Sequence, residues 1–247
     1  MNYRVPEVEG LGVDRLSLAP EYALALSTMM PYAVIRYSLD GSDPDTTSTR
    51  YQDGLVIAVP AEGVTLTARV FLPGGRTSPA SAALIRRGTL RPAVKVDTTT
   101  MQPGLRYQYF DARLRSLEQL GAQTPARERI VSDVELVGDE PPEGFAVRLS
   151  GLLHVAADGV YQFELLSDDG SRLWVADTLV VDHDGLHSAR AKHGMVALAA
   201  GYHPVRIEYF QAGGGKALEL QMRQDGVMEW SEVAGRVFVE GGRVVGR

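Results

Sequence analysis

The 247-residue sequence contains no cysteine. Disulfide bridges, thiolate nucleophiles and cysteine-ligated zinc sites are therefore excluded. The sequence also lacks any apolar run near the roughly 20 residues that a membrane-spanning helix needs. A basic excess is missing as well, because the formal net charge is −6. We expect neither nucleic-acid binding nor membrane insertion, since an acidic chain offers no attractive field to phosphates or anionic lipids.

The sequence is also poor in asparagine and has no leader-like start. Asparagine occurs once, as Asn2. The first residues are polar and lead into proline, whereas a secretory leader begins with a basic segment followed by an apolar one. We therefore expect that Met1 is an artificial start and that the natural protein is longer.

Short alternating runs separated by turn residues take the place of long helical periodicity and predict an all-β fold. Leu66, Ala68 and Val70 alternate with other side chains as in a half-buried strand. Asp40-Gly41 predicts a hairpin turn, because a primed turn needs positive φ. About seven short strands in roughly eighty residues are typical of an immunoglobulin-like or fibronectin-like β-sandwich.

The remainder of the chain predicts a second all-β module. The segment 113–120 carries leucines at helical spacing and is the one candidate helical turn. About 140 residues with many strands are enough to close a β-sandwich or barrel core. We place the first module at residues 1–90, a linker at 91–102 and the second module at 103–247. Its strands are predicted at 107–110, 130–137, 145–155, 159–166, 171–176, 179–182, 195–198, 201–210 and 216–223.

The segment Ser167-Asp168-Asp169-Gly170 is the strongest candidate site. Two adjacent carboxylates on a tight turn repel each other unless something positive lies between them. Calcium prefers six to eight hard oxygen ligands, and paired aspartates at a loop can begin such a set. The alternative is structural, because Asp and Gly are common turn residues. Both interpretations stay open on the sequence.

Asp182, His183, Asp184 and His187 offer four possible metal ligands within six residues. Imidazole together with carboxylate suits zinc or another transition metal. The same residues also suit the end of a strand followed by a turn. We favour that second interpretation, with Asp182 bonded to the neighbouring loop backbone.

Two other segments have ordinary structural interpretations. Asp139 and Glu140 lie in a proline-rich loop, which we expect to be solvated. Gly213-Gly214-Gly215 lacks the spacing of a phosphate-binding loop and predicts a hairpin between the flanking strands.

Trp174 lies between Leu173 and Val175 in a predicted strand. If these two neighbours point into the core, the indole points the other way. A flat aromatic face on a sheet exterior can stack against a sugar ring, because the C–H face of a pyranose packs on apolar surface. The alternative is that Trp174 packs under a loop or against the first module, as a mostly buried residue type would.

One set of residues in the first module resembles a known family. It looks like the immunoglobulin-like module that follows the catalytic barrel in bacterial chitobiases and β-hexosaminidases, and the pattern covers most of residues 13–85. The residues that carry it are the run 35–44 with its Tyr-x-Leu-Asp-Gly-Ser-Asp-Pro core, Ser48, Tyr51, the strand at 65–70 and the turn at 75–78.

A second set resembles the PA-fourteen domain, a lectin-like β-barrel module of glycosidases, adhesins and bacterial toxins. The resemblance covers about residues 103–238, and its blocks occur in the family order. These blocks are Gly151, the runs 159–163 and 167–175, the run 180–187 and the run 198–210.

The PA-fourteen resemblance implies a binding site. Sugar-binding members of that family hold calcium with an Asp-Asp pair, and the ion in turn holds sugar hydroxyls. Asp168 and Asp169 match this pair, so calcium and carbohydrate binding are expected there, with Trp174 as a further candidate sugar contact. Those members add an asparagine from a separate loop, and no asparagine here matches it.

Together, the two modules resemble the C-terminal region of a bacterial family 20 glycoside hydrolase. The resemblance implies a non-catalytic accessory region of a periplasmic or extracellular β-N-acetylhexosaminidase whose catalytic barrel lies outside this chain. The expected partners are a glycan or polysaccharide and the catalytic domain of the same polypeptide. Two alternatives stay open: structural bracing of the catalytic barrel, and an adhesin-type lectin.

Overall fold

The computed structural model describes residues 4–240 of the chain. The chain divides into two compact units, residues 1–89 and 90–247. In the described part, strands dominate both units and the helical content consists of two short 3-10 helices. The all-β prediction is therefore confirmed. No described helix has the length and apolar character needed to cross a membrane.

The described part of the first unit contains seven short strands. Their bounds are β1 Arg15–Ser17, β2 Glu21–Ala23, β3 Val34–Ser38, β4 Thr49–Arg50, β5 Val56–Ala58, β6 Val64–Phe71 and β7 Ser81–Arg87. Five of them form a sheet in the order β1-β7-β6-β3-β4, and β2 pairs with β5. Leu66, Ala68 and Val70 are fully buried, as their alternation predicted. They share one core with Leu24 and Ile57, from the side of the two-stranded sheet.

The connection from β3 to β4 begins with the predicted turn. Gly41 has a φ of 83°, and Asp40 Oδ1 accepts the Ser42 amide hydrogen at 2.9 Å. A second turn follows, in which Asp45 Oδ1 accepts the Thr47 amide hydrogen at 2.8 Å. Because two turns occur in succession, the connection is longer than a tight hairpin.

The second unit contains twelve described strands and both 3-10 helices. The strands are β8 Met101–Pro103, β9 Leu105–Phe110, β10 Arg127–Val131, β11 Phe145–Val155, β12 Gly159–Asp168, β13 Ser171–Val175, β14 Thr178–His183, β15 Arg190–Leu198, β16 Gly201–Gln211, β17 Ala217–Gln224, β18 Ser231–Glu232 and β19 Val237–Glu240. The 3-10 helices span Thr98–Thr100 and Leu117–Ala122.

Two sheets form the sandwich of the second unit. The larger has the order β10-β9-β11-β16-β13-β14, and β19 joins it by pairing with β11 and β8. The smaller has the order β15-β12-β17-β18. Phe145 and Tyr209 from the larger sheet and Phe163 from the smaller share one buried core. Burial of these apolar side chains from water is the main stabilising contribution.

The stretch expected to be a linker lies within the second unit. The Arg91 amide donates to the Ala197 carbonyl at 2.8 Å, and the Ala199 amide donates back to the Arg91 carbonyl at 3.0 Å. The Val94 amide donates to the Tyr202 carbonyl at 2.8 Å. Residues 91–102 are therefore tied to β15 and β16 by backbone hydrogen bonds.

The predicted helical turn at 113–120 forms later, as the 3-10 helix Leu117–Ala122. Ser116 caps it, with Gln119 completing a capping box. Leu114, Leu117 and Leu120 are buried in a small cluster on the outer side of the larger sheet, with Phe110 and Phe210. This cluster fixes the segment against the sheet.

Three connections at one end of the sandwich pass from one sheet to the other. They join β12 to β13, β14 to β15 and β16 to β17, and in each case the two strands belong to different sheets. The hairpin predicted at Gly213-Gly214-Gly215 is therefore wrong, because β16 pairs with β11 and β13 while β17 pairs with β12 and β18.

Candidate functional site

Asp168 is the last residue of β12, and Asp169 and Gly170 connect this strand to β13. Both aspartates are buried, with 9% and 6% of their surface exposed, and the peptide bond between them is cis. A Cβ at Gly170 would lie 2.4 Å from Phe210 Cε1 and 2.8 Å from the Gly185 nitrogen. Only glycine fits there, because both neighbours are part of the packed structure.

The Asp169 carboxylate joins the other two sheet-crossing connections. Its Oδ1 accepts the His187 amide hydrogen at 3.2 Å. Its Oδ2 accepts the amide hydrogens of Ala212 and Gly213 at 2.9 and 3.3 Å. One buried side chain therefore satisfies three backbone donors from two loops.

Asp168 adds a second set of contacts to the same loops. Its Oδ2 accepts the Ala189 amide hydrogen at 3.0 Å. A Cβ at Gly215 would lie 3.0 Å from that oxygen, so the glycine-rich connection passes directly beside the carboxylate. The Asp168 carbonyl oxygen is contacted by the Tyr209 hydroxyl.

Tyr209 is held as a neutral donor beneath the aspartates. Burial raises the pKa of its hydroxyl far above the usual range, and the negative charges of Asp168 and Asp169 raise it further. The hydroxyl also lies 2.5 Å from Gln211 Oε1, and Gln211 Nε2 donates to the Gly215 carbonyl at 2.7 Å. Tyr209 and Gln211 thus tie the β12–β13 connection to the β16–β17 connection through hydrogen bonds.

The aspartate pair does not by itself supply a calcium ligand set. Calcium prefers six to eight oxygen ligands. Between residues 4 and 240, no group of three or more His, Cys, Asp or Glu side chains is placed to hold a metal ion. Three of the four carboxylate oxygens of Asp168 and Asp169 already accept amide hydrogens. The calcium expected at this pair stays a prediction.

A solvent-open cleft of about 280 Å³ lies beside the β14–β15 and β16–β17 connections. Its lining includes Ala212, whose amide bonds to Asp169, and Leu186, which is 56% exposed. Residues 113–115 and 143–144 complete it. The cleft therefore combines exposed apolar surface with charged side chains from separate segments.

Asp184 joins two segments that continue into the lining of this cleft. Its carboxylate accepts hydrogen bonds from the Ser116 hydroxyl at 2.7 Å and the Leu117 amide at 3.0 Å, and it pairs with Arg172 at 3.2 Å. Negative charge at the start of a helical turn is stabilising. Asp184 thus connects the 3-10 helix to the β14–β15 connection.

The expected bond from Asp182 to loop backbone forms. Asp182 Oδ1 accepts the Asp184 amide hydrogen at 3.3 Å, and it also accepts from Arg172 Nε at 2.9 Å. These hydrogen bonds hold the end of β14, and no group of three or more possible metal ligands forms around Asp182 among the described residues.

His183 is buried and stacks on His187, with ring centroids 3.9 Å apart. Arg190 Nε donates to His183 Nε2 at 3.1 Å, so this nitrogen carries no hydrogen. Within the described chain, His183 Nδ1 has no hydrogen-bond partner. Burial and the positive charges around it lower the pKa of His183 to about 4.

Trp174 lies on the outer face of the larger sheet, opposite the buried Leu173 and Val175. The Arg206 guanidinium carbon lies 4.1 Å from the centre of its ring, which is a cation–π contact. One face of the indole is therefore covered by a side chain of the same sheet. No described contact joins Trp174 to the aspartate pair.

Sequence reasoning missed two further features. Trp230 lies across the outer face of the smaller sheet, with the Arg223 guanidinium carbon 4.3 Å from its ring centre and the His193 ring centroid 5.8 Å away. The signal was available, because Trp230 is one of only two tryptophans.

The second feature is Glu140, which is buried, so the solvated-loop interpretation is wrong for this residue. Its carboxylate is contacted by the Tyr107 hydroxyl and accepts the Val137 and Gly138 amide hydrogens at 2.8 and 3.0 Å. Burial raises the pKa of this carboxyl, but the hydrogen bonds outweigh it and leave the pKa below the usual value. Asp139 is exposed and pairs with Arg129 at 2.6 Å.

Solved structures share the fold of the second unit. The PA14 domain of the MpAFP antifreeze protein has a TM-score of 0.50 at 15% identity, and the match covers 60% of this chain and 98% of that one. The Epithelial Adhesin 9 A domain from Candida glabrata, in complex with Galb1-3GlcNAc, has a TM-score of 0.51 at 12% identity, covering 62% of this chain and 96% of that one.

Family models match segments of both units. No curated protein matches the chain significantly. The Fn3 associated family matches residues 24–84 of the first unit. The PA14 domain family matches residues 101–233, more than half of the chain. Because this match covers more than half of the chain and runs from β8 to β18, the chain belongs to the PA14 domain family.

Proposed function

We propose that the second unit is a non-catalytic carbohydrate-binding domain whose ligand occupies the cleft beside Asp168 and Asp169. The observation that carries the proposal is the joining of three sheet-crossing connections by two buried carboxylates, one of which, Asp169, is bonded to the amide of Ala212 in the lining of that cleft. Binding sites are favoured where loops are held rigidly by a scaffold, because less ordering entropy is lost when the ligand binds.

In this proposal Asp168 and Asp169 position the site. Their carboxylates are buried and bonded to backbone amides, so they hold the walls of the cleft in place. Sugar contact falls to Leu186, which offers apolar surface to a pyranose ring, and to the charged groups that line the cleft. A few oriented polar groups around an apolar surface are typical of small-ligand sites.

Family membership supports this proposal. The Epithelial Adhesin 9 A domain shares the fold and was solved with Galb1-3GlcNAc bound. That ligand is a property of the adhesin. For this chain we propose the broader class, a glycan, together with an extracellular or cell-surface location.

A screen against immobilised glycans tests the proposal, with binding then measured by calorimetry. We expect Leu186→Ala to weaken binding about tenfold, since it removes the exposed apolar contact. Leu179→Ala is the matched control, because Leu179 is also an exposed leucine, at 45%, and lies in β14 outside the cleft. Equal binding by the two variants would show that the ligand binds outside the cleft. No binding to any glycan would contradict the proposed carbohydrate binding itself.

Bracing of a neighbouring catalytic domain is the second candidate. It is favoured by the use of the aspartate oxygens as backbone acceptors, since a purely structural turn would make the same contacts. Amide resonances of the β14–β15 and β16–β17 connections that shift on glycan titration would support binding. Resonances that stay unchanged with every glycan would support bracing.

The finer assignments are also proposals. We propose that the first unit is of the chitobiase C-terminal type and that the parent is a periplasmic or extracellular family 20 glycoside hydrolase. The sequence of the full-length gene tests both, and a parent without a (β/α) barrel domain would exclude the hydrolase.

Trp174 as a sugar contact is tested by Trp174→Ala, which should weaken glycan binding if the free face of the indole is used.

Calcium binding is tested through thermal stability, because a ligand that binds only the native state raises the melting temperature. If calcium binds, excess calcium raises the melting temperature relative to a chelator, and Asp168→Asn removes that difference. Identical melting curves in calcium and in chelator would exclude the ion.

A further inference from the structure

We propose that the cleft beside Asp168 and Asp169 selects an anionic glycan, one whose sugars carry a carboxylate or a sulfate group. The inference rests on the proposed function and specifies its ligand class. It is carried by two arginines, Arg113 and Arg115, that line the same cleft and belong to one fixed segment.

The position of Arg113 is set by packing. Its side chain lies against Gly144, where a Cβ would be 3.2 Å from Arg113 Cγ and 3.3 Å from Nε. Gly144 has a φ of 79°, a conformation that favours glycine. The absence of a side chain at this position therefore creates the surface along which the arginine extends into the cleft.

The segment that carries both arginines is anchored on each side. Leu114, between them, is buried in the cluster on the outer side of the larger sheet. The Arg115 amide donates to Gln119 Oε1 at 3.0 Å, and Ser116 bonds to Asp184 at 2.7 Å. The two guanidinium groups thus start from backbone that is held in place before any ligand arrives, which reduces the entropic cost of binding.

The charges of these arginines are not neutralised within the protein. In the described chain neither guanidinium forms an ion pair, and both side chains are exposed. The net charge of the whole chain is −6, yet the lining of this cleft carries two arginines against one carboxylate, Glu143, so it has a local excess of positive charge. A guanidinium binds carboxylate or sulfate through charge-assisted hydrogen bonds and can do so in a two-point manner.

The remaining lining suits the rest of a sugar. Leu186 is exposed and offers a surface for the C–H face of a pyranose ring. Glu143 is exposed in the same cleft and can accept hydrogen bonds from sugar hydroxyls. An anion without hydroxyl groups gains nothing from Glu143 and is repelled by it, so the lining favours an acidic sugar over a simple anion.

The test compares acidic glycans with matched neutral forms by calorimetry on the full chain. The pairs are oligogalacturonate and its methyl ester, a hyaluronan oligosaccharide and its methyl ester, and sialyllactose and lactose. A heparin oligosaccharide supplies the sulfate arm. We expect at least one acidic form to bind about tenfold more tightly than its neutral partner, with a preference that falls as salt is raised.

The Arg113→Gln/Arg115→Gln double variant should reduce the acidic ligand to the affinity of its neutral partner. Lys95→Gln/Arg236→Gln is the control, because it removes the same charge from exposed positions outside the cleft and should keep the preference. Binding of the heparin oligosaccharide alone would identify the group as sulfate, and binding of a carboxylated form alone as carboxylate.

Three outcomes would overturn the inference. If acidic and neutral forms bind equally, or if the control variant loses the preference as fully as the double variant does, the arginines do not select charge, yet carbohydrate binding stands. If no glycan of either kind binds, the proposed function fails together with the inference.

Discussion

Single side chains in the second unit hold several backbone segments at once. Asp169 accepts three amide hydrogens from two connections, and Asp184 holds the start of a 3-10 helix. A buried donor that loses its acceptor retains the full cost of its removal from water, about 1–3 kcal/mol. Substitution of one atom group in Asp169 or Asp184 is therefore expected to change the free energy of unfolding substantially.

Asp169→Asn tests this directly. The amide is nearly isosteric with the carboxylate, but its NH2 group would face amide donors, so we expect a loss of about 2–3 kcal/mol in the free energy of unfolding. Urea denaturation measures it. Asp177→Asn is the control, because Asp177 is exposed at a φ of 57° that asparagine also adopts. A change below about 0.5 kcal/mol for Asp169→Asn would contradict the anchoring role.

His183 makes the second unit sensitive to acid. Its pKa in the folded protein is about 4, against 6.5 for the ordinary group, so the unfolded chain takes up a proton that the native state resists. This contribution to stability is fully present above pH 6.5 and is lost as the pH falls towards 4, by about 3 kcal/mol.

The matching experiment compares the wild type with His183→Gln, whose amide oxygen can still accept from Arg190 and does not titrate. We expect the stability of the variant to fall less between pH 7 and pH 4 when unfolding is followed by circular dichroism. Parallel pH profiles for the two proteins would show that His183 does not titrate in this range.

At the scale of elements, glycines allow strands of different sheets to approach. Gly194 in β15 lies so close to β14 that a Cβ would be 2.0 Å from the Val180 carbonyl oxygen. The smaller sheet supplies β15 and the larger sheet supplies β14. This close approach lies within the two strands that flank the β14–β15 connection, which carries Leu186 and His187.

Gly194→Ala should therefore force these two strands apart. We expect a loss of about 2–3 kcal/mol in the free energy of unfolding, because overpacking at a backbone contact has few ways to relax. Gly121→Ala is the control, since no atom lies within 4 Å of a Cβ at that position. Hydrogen exchange should show faster exchange in β14 and β15 for Gly194→Ala alone, and unchanged protection there would contradict the prediction.

At the scale of the whole molecule, each unit has its own core. The first is built around Leu66 and Val70, and the second around Phe145, Phe163 and Tyr209. Separate cores of this kind favour separate folding of the two units. The boundary at residues 89 and 90 places the segment 91–102 with the second unit, where its backbone hydrogen bonds lie.

We therefore expect a fragment of residues 90–247 to fold alone. Its melting temperature should match one transition of the full chain in calorimetry. A fragment starting at residue 103 should melt lower, because it lacks the hydrogen bonds of Arg91 and Val94. Equal melting of the two fragments would show that the segment adds no stability.

The sequence alone determined the type and place of most strands. The run at 145–155 was predicted with the bounds of β11, because its apolar residues and the turns beside it are local signals. The alternation at Leu173, Trp174 and Val175 likewise gave the correct faces, since the period of a strand is a property of the backbone. The turn at Asp168, Asp169 and Gly170 was also recognised from the sequence, because Asp and Gly are local turn signals.

Only the tertiary structure decided which strands pair and what the turns join. Gly213-Gly214-Gly215 has the composition of a hairpin, but its two strands lie in different sheets. Glu140 has the sequence context of a solvated loop, but Tyr107, 33 residues away, contacts it from β9. Both differences have one physical cause: strand pairing and burial depend on residues distant in sequence, and local patterns carry no record of them.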